Sequence, residues 1–232
     1  MASSSSPSSR RHRTSSTEPA AAPAPTRAER KGITRRALLD AALVRLGGDV
    51  SFTSLSLREV AKDAGVVPAA FYRHFPDMET LGLALVDESF ITLRARMRDL
   101  RAAPQPTAHV VQASLETFLG YVQDHPNHFR FIAKERYGGS TALKLAIRSE
   151  IRLFTSELAI DMARVPAMAG MSGADLQLAA ALVVQTVMSA TEGVLDLRTG
   201  ETAELARIEQ ECARQLRMIL LGAAVWQSDR AR

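Results

Sequence analysis

The chain has 232 residues, of which 46% are hydrophobic and 23% charged, with a formal net charge of +4; such a composition suits a packed globular core and excludes a fibrous or wholly disordered chain. One cysteine, Cys212, excludes an internal disulfide and a multi-cysteine zinc site. No run approaches the ~18 consecutive apolar residues of a membrane span, and the N-terminus lacks the apolar stretch of a secretory signal, so the expectation is a cytoplasmic, nucleoid-associated protein with no membrane partner.

Residues 1–29 are Ser, Pro, Ala and Thr with scattered arginines. Too few large apolar side chains are present to offset the entropy of ordering, so the segment is expected to be a disordered basic tail; Arg10, Arg11 and Arg13 make it a candidate arm towards nucleic acid. From residue 30 the chain reads as helices. Ile33, Ala37, Leu38, Ala41, Ala42 and Leu46 recur at helical spacing until Gly47-Gly48. Ser56-Leu57-Arg58-Glu59 is a capping-box pattern that starts a second helix, with Leu57, Val60, Ala61 and Ala64 inward and Gly65 at its end. Pro68 suits the first turn of a short third helix. Pro76-Asp77 opens a long helix to about Ala103, broken by Pro104 and Pro106. Further helices are predicted over about Thr107–Asp124, from Pro126, from about Leu143 to Met162, and over Gly173–Leu197 and Thr202–Trp226. The fold class is all-α, about nine helices and no strands, divided into 30–76 and 77–232.

Charge follows the same division. Residues 1–76 hold 12 Lys/Arg against 6 Asp/Glu, and the remainder 17 against 19; a basic end on a slightly acidic body fits a nucleic-acid-binding module fused to another part, with a chance excess as the competing reading. The stretch Ser54–Phe75 reads as a helix-turn-helix, with small Ala61 at the helix crossing and Gly65 at the turn. The second helix then offers Val67, Pro68, Ala69, Ala70, Tyr72 and Arg73 to a major groove. Ala69 and Ala70 are small enough to meet thymine methyls, whereas Tyr72, Arg73 and His74 can donate to phosphates. Ser56 and Arg58, at the start of the preceding helix, make a second candidate phosphate cradle.

In the larger part, Leu115, Phe118, Leu119, Val122, Phe129, Ile132, Phe154, Val184 and Met188 are candidates to line an apolar cavity. Arg130, Lys134 and Arg136 are candidates for its mouth, with ordinary surface charge as the competing role. Leu205, Ile208, Cys212, Leu216 and Ile219, with Leu182, Thr186, Val187 and Ala190, form narrow stripes suited to helix packing across a homodimer, or within one subunit. A dimer would place two recognition helices one DNA turn (~34 Å) apart on a palindromic operator. Chemistry of the catalytic kind is not indicated: no phosphate loop or serine elbow is present, and Cys212 has no histidine at helical spacing. Asp124, His125 and His128 lie at a helix start, where packing is preferred to a metal.

Tyr72-Arg73-His74-Phe75 at the end of the third helix resembles the DNA-binding domain of the TetR family of transcriptional regulators. The wording from Leu55 to Ser89, His125–Arg130, Lys134–Arg136 and Ala146–Leu158 is similar to the branch containing FabR and DesT, repressors of unsaturated fatty-acid synthesis and desaturation. The resemblance covers roughly residues 32–225. It implies a dimeric repressor with no cofactor, and a long-chain acyl-CoA as effector. Met78 departs from it, since many members carry a phosphate-binding lysine there. The short Phe75-Pro76 junction suggests that tilting the long helix would change the spacing of the recognition helices.

Overall fold

The computed structural model describes residues 26–102, 107–198 and 200–228, the side chains of 100–102 and 107–111 excepted. Among these residues all regular structure is helical: α1 (Arg27–Gly47), α2 (Leu57–Asp63), α3 (Pro68–Phe71), α4 (Met78–Ala102), α5 (Thr107–Asp124), α6 (Pro126–Glu135), α7 (Thr141–Ala163), α8 (Gly173–Leu195) and α9 (Thr202–Val225), with 3-10 turns at Phe52–Ser54 and Pro166–Met168.

α1 starts earlier than expected. Thr26 caps it, accepting from the Glu29 amide while the Glu29 carboxylate accepts from the Thr26 amide, so residues 26–29 belong to the helix and correct the tail boundary. The proposed arm at Arg10–Arg13 lies outside the described residues. α2 begins with the same device between Ser56 and Glu59. The turn into α3 depends on Gly65, whose φ is +67°, followed by a 2.9 Å bond from the Val66 amide to the Ala61 carbonyl. A Cβ at Gly65 would meet nothing within 4 Å, so only the backbone conformation resists a side chain. We expect Gly65→Ala to lower unfolding free energy by roughly 1–2 kcal/mol, measured by denaturant titration; an unchanged midpoint would mean that the turn tolerates an L-residue.

One apolar core joins the helix-turn-helix to the body. Leu38, Ala42, Leu46, Val60, Phe71 and Phe75 are buried together with Leu81 and Leu85 of α4, Phe131 of α6, and Leu143 and Ile147 of α7. A second core holds Leu93, Leu115, Leu119, Val122, Val194, Cys212 and Leu216. A third, around Met162, Met168, Ala180 and Ala223, closes the far end. By length and composition α8 would pass as a membrane span. Its apolar residues instead divide among the packing against neighbouring helices, the wall of an internal cavity, and an outward face.

Candidate nucleic-acid interface and effector cavity

α3 is a single turn with Val67 as its N-cap and Pro68 in its first position, where the missing amide costs nothing. Its inner side is Phe71, fully buried, with ring centroids 5.7 Å from Phe75 and 5.8 Å from Tyr72. Phe75 is also interior. The outer side presents exposed Val67, Pro68, Ala69, Tyr72 and Arg73, with Ala70 half-buried. These are the residues read from the sequence as groove-facing. His74 is half-buried, and its Nδ1 has no hydrogen-bond partner among the described residues. Burial first, then the charges of Lys31, Arg35 and Arg73, hold its pKa below the ordinary histidine value.

Ser56 does not leave an empty phosphate cradle. Its amide and its hydroxyl both donate to Glu59 Oε2, at 3.2 and 2.7 Å, so a carboxylate already fills the anion position at the start of α2. Glu59 is in turn paired with Arg45 at 2.9 Å. Arg58 points outward and is exposed.

The body encloses a cavity of about 610 Å³ between α4, α5, α6, α7, α8 and α9. Of the expected lining, Leu115, Phe118, Phe129, Ile132, Phe154, Val184, Met188 and Arg136 are in its wall. Leu119 and Val122 are not: both are fully buried in the second core, a turn further along the same face of α5. Arg130 donates to the Leu195 carbonyl at 3.2 Å and Lys134 to the carbonyls of Leu46 and Gly48, so neither reaches the cavity. Arg136 alone of the three basic residues does, beside Met188 and 3.8 Å from Glu192. Phe90, Leu93 and Met97 of α4 and Met162 and Met168 near the far end also line it, though they were not among the residues expected from the sequence. The apolar stripe of α4 could have announced them, but it runs unbroken from the first core into the cavity.

α6 connects cavity and recognition module. Phe129, Ile132 and Arg136 face the cavity. The neighbouring side chains grip α1 and the turn after it: Lys134 at the end of α1, and Glu135 Oε1 accepting from the Phe52 amide at 2.8 Å. Glu135 is buried, and its Oε2 has no partner among the described residues. The approach is close, since a Cβ on Gly47 would lie 2.2 Å from Asn127 Oδ1.

The expected dimer stripe is redistributed. Cys212 and Leu216 are buried within the subunit, where burial raises the Cys212 thiol pKa to about 11, and Val187, Ala190, Leu205 and Ile208 pack against the same core. Cys212 and Leu216 are thereby corrected to the subunit interior, whereas Val187, Ala190, Leu205 and Ile208 are half-buried and keep part of their surface outward. Leu182 is exposed and Thr186 and Ile219 half-buried. The outward apolar residues are Leu178 and Leu182 of α8 with Met218, Leu221, Val225 and Trp226 at the end of α9. Among the described residues no His, Cys, Asp and Glu group is placed to hold a metal; the rings of His125 and His128 meet edge to face at 5.8 Å, and His128 lies 4.0 Å from Glu88.

A helix-turn-helix with an exposed groove face, carried on a helical body with an internal cavity, defines a ligand-responsive DNA-binding transcription factor and not an enzyme. The chain belongs to the TetR family. The description "Bacterial regulatory proteins, tetR family" matches residues 38–85, and "Tetracyclin repressor-like, C-terminal domain" matches residues 107–221. Among solved structures, a transcriptional regulator from Rhodococcus sp. RHA1 superposes with a TM-score of 0.64 at 21% identity, covering 84% of this chain and 98% of that one. The fatty-acid regulator FadR from Bacillus subtilis, in complex with stearoyl-CoA, gives 0.65 at 16% identity over 78% and 96%. SmeT in complex with triclosan gives 0.64 at 18% identity over 82% and 90%. At these identities the likeness is one of fold.

Proposed function

We propose that this chain is a homodimeric repressor that binds a palindromic operator through α3 and responds to a long-chain acyl-CoA, controlling genes of fatty-acid desaturation or lipid synthesis. The observation that carries the reading is the 610 Å³ cavity with its wall of Leu, Phe, Val and Met, large and apolar enough for an acyl chain. The stearoyl-CoA held by the like-folded FadR, and the sequence likeness to the FabR and DesT branch, support it. DNA contacts are assigned to Val67, Pro68, Ala69, Ala70, Tyr72, Arg73 and Arg58, on a recognition module spanning α1 to Pro76. The dimer seam is assigned to the outward residues of α8 and α9, Leu182 among them.

A ligand shifts DNA affinity only by binding two conformations differently. α6 is placed to carry that difference, because one side of it meets the ligand space while Lys134 and Glu135 hold α1 and Phe52. Fluorescence anisotropy on duplexes from the gene's own upstream region, at fixed salt, with and without a series of acyl-CoAs, tests the reading. We expect one acyl class to change the affinity by about 5–150-fold. Specific DNA binding that no acyl-CoA alters would leave the regulator and discard the lipid. A second apolar effector, such as a drug-like aromatic, has in its favour the triclosan held by SmeT, and enters the same titration.

A further inference from the structure

The basic side chains of the N-terminal region divide into two sets. Arg36 pairs with Asp40 at 2.8 Å and with Glu88, and Arg45 pairs with Glu59 at 2.9 Å and with Asp63. Lys31, Arg35 and Arg73 are exposed and have no ion pair among the described residues. They nevertheless converge. The Arg35 guanidinium lies 4.9 Å from the centre of the Phe75 ring, two residues beyond Arg73, and all three charges act on His74 between them. Lys31 and Arg35 are one helical turn apart on one edge of α1, and Arg27 is one turn earlier on that edge.

Nearby acids balance the group only in part. Asp77 is occupied as the cap of α4, accepting from the Thr80 amide at 2.7 Å. Asp87 and Glu88 border a shallow hollow on the α4 side of Arg35, and Glu88 is taken by Arg36. Like charges gathered in excess of the nearby counter-charge raise the local positive potential, so the arrangement favours an anionic partner. The patch is continuous with the exposed face of α3 through Arg73, and the anion lying along that face is the DNA backbone.

We propose that Lys31 and Arg35, together with Arg73, form a phosphate-binding surface that seats the DNA backbone beside the recognition helix, with Arg27 extending it by a turn. Lys31 and Arg35 precede the segment matched as the family's DNA-binding domain, which starts at residue 38. The inference rests on the DNA-binding reading of α3. It adds contacts that carry no sequence information and fix the module on its site.

Each phosphate neutralised steepens the dependence of log affinity on log salt by about 0.9. The test is therefore an anisotropy titration over a salt series, using a mixed-sequence duplex long enough for a dimer. Because a dimer carries each substitution twice, Lys31→Gln is expected to reduce the slope by about 1.8, and Lys31→Gln with Arg35→Gln by about 3.6, on every duplex alike. Arg152→Gln, an exposed charge on α7, should leave the slope unchanged. Arg35 stacks on a core ring, so melting temperatures accompany the titration; if the double variant unfolds early, Lys31→Gln alone decides. A folded variant with the wild-type slope overturns the proposal. Absence of duplex binding by the wild-type chain would instead overturn the DNA-binding reading beneath it.

Discussion

Ala69→Glu is expected to weaken operator binding by about 100-fold or more while leaving the fold intact. Ala69 lies in the first turn of α3, exposed on the side opposite the buried Phe71. A carboxylate there would be pressed against DNA phosphates, and such like-charge juxtaposition costs several kcal/mol; even about 1.5 kcal/mol per half-site, about 3 kcal/mol over the two half-sites of a dimer, corresponds to about 100-fold. The same carboxylate is harmless to the free protein. The first turn of a helix favours negative charge, and exposed substitutions of this kind change stability by no more than about 0.5 kcal/mol. Anisotropy on the upstream duplex and a thermal melt separate the two effects. Wild-type affinity in a folded Ala69→Glu variant would remove α3 from the DNA contact. Tyr72→Ala, which takes away one exposed donor and its ring, should produce a smaller loss on the same assay.

The features legible in the sequence are those whose cause is local. The Ser56–Glu59 box, the left-handed Gly65, Pro68 at a helix start and the Leu38–Leu46 stripe each act within a turn or two of chain, and each element stands where its pattern puts it. Thr26-x-x-Glu29 is the same type of local signal as Ser56-x-x-Glu59. It was masked by the Ser, Pro and Ala composition around it. Non-local facts were less legible. The α9 stripe from Leu205 to Leu216 has the spacing of a dimer seam because the same spacing serves packing on α5 and α8 of one subunit. On α5, Leu115 and Phe118 face the cavity whereas Leu119 and Val122 do not; the four share one helical face, and only the neighbouring helices decide where along it the cavity gives way to close packing. Arg130, Lys134 and Arg136 lie close in sequence but reach an α8 carbonyl, the end of α1 and the cavity respectively; Arg130 and Lys134 are one turn apart yet lie beside different elements, and Arg136 is the cap beyond the helix.

Lys134→Ala combined with Glu135→Gln should uncouple the sensor from the DNA-binding module. Lys134 satisfies carbonyls at the end of α1, where the helix leaves its last acceptors without partners of its own, and Glu135 holds the Phe52 amide in the turn that leads to α2. The hydrogen bonds are few, but Glu135 is buried, and a buried group left without its partner costs about 1–3 kcal/mol. Glutamine keeps a carbonyl for Phe52 and removes the charge, so the double variant should fold with a modestly lowered melting temperature. Neither side chain lines the cavity, and neither lies on the exposed face of α3. Stearoyl-CoA affinity without DNA, and operator affinity without ligand, are therefore expected to stay within about threefold of wild type, below the range of a typical coupling. What changes is the link between them. The effect of stearoyl-CoA on operator affinity should fall towards one, and because coupling is reciprocal, the operator's effect on stearoyl-CoA affinity should fall equally. If the double variant retains the full wild-type shift, the signal passes through α4 and its short Phe75-Pro76 junction, and α6 serves only to hold the two parts together.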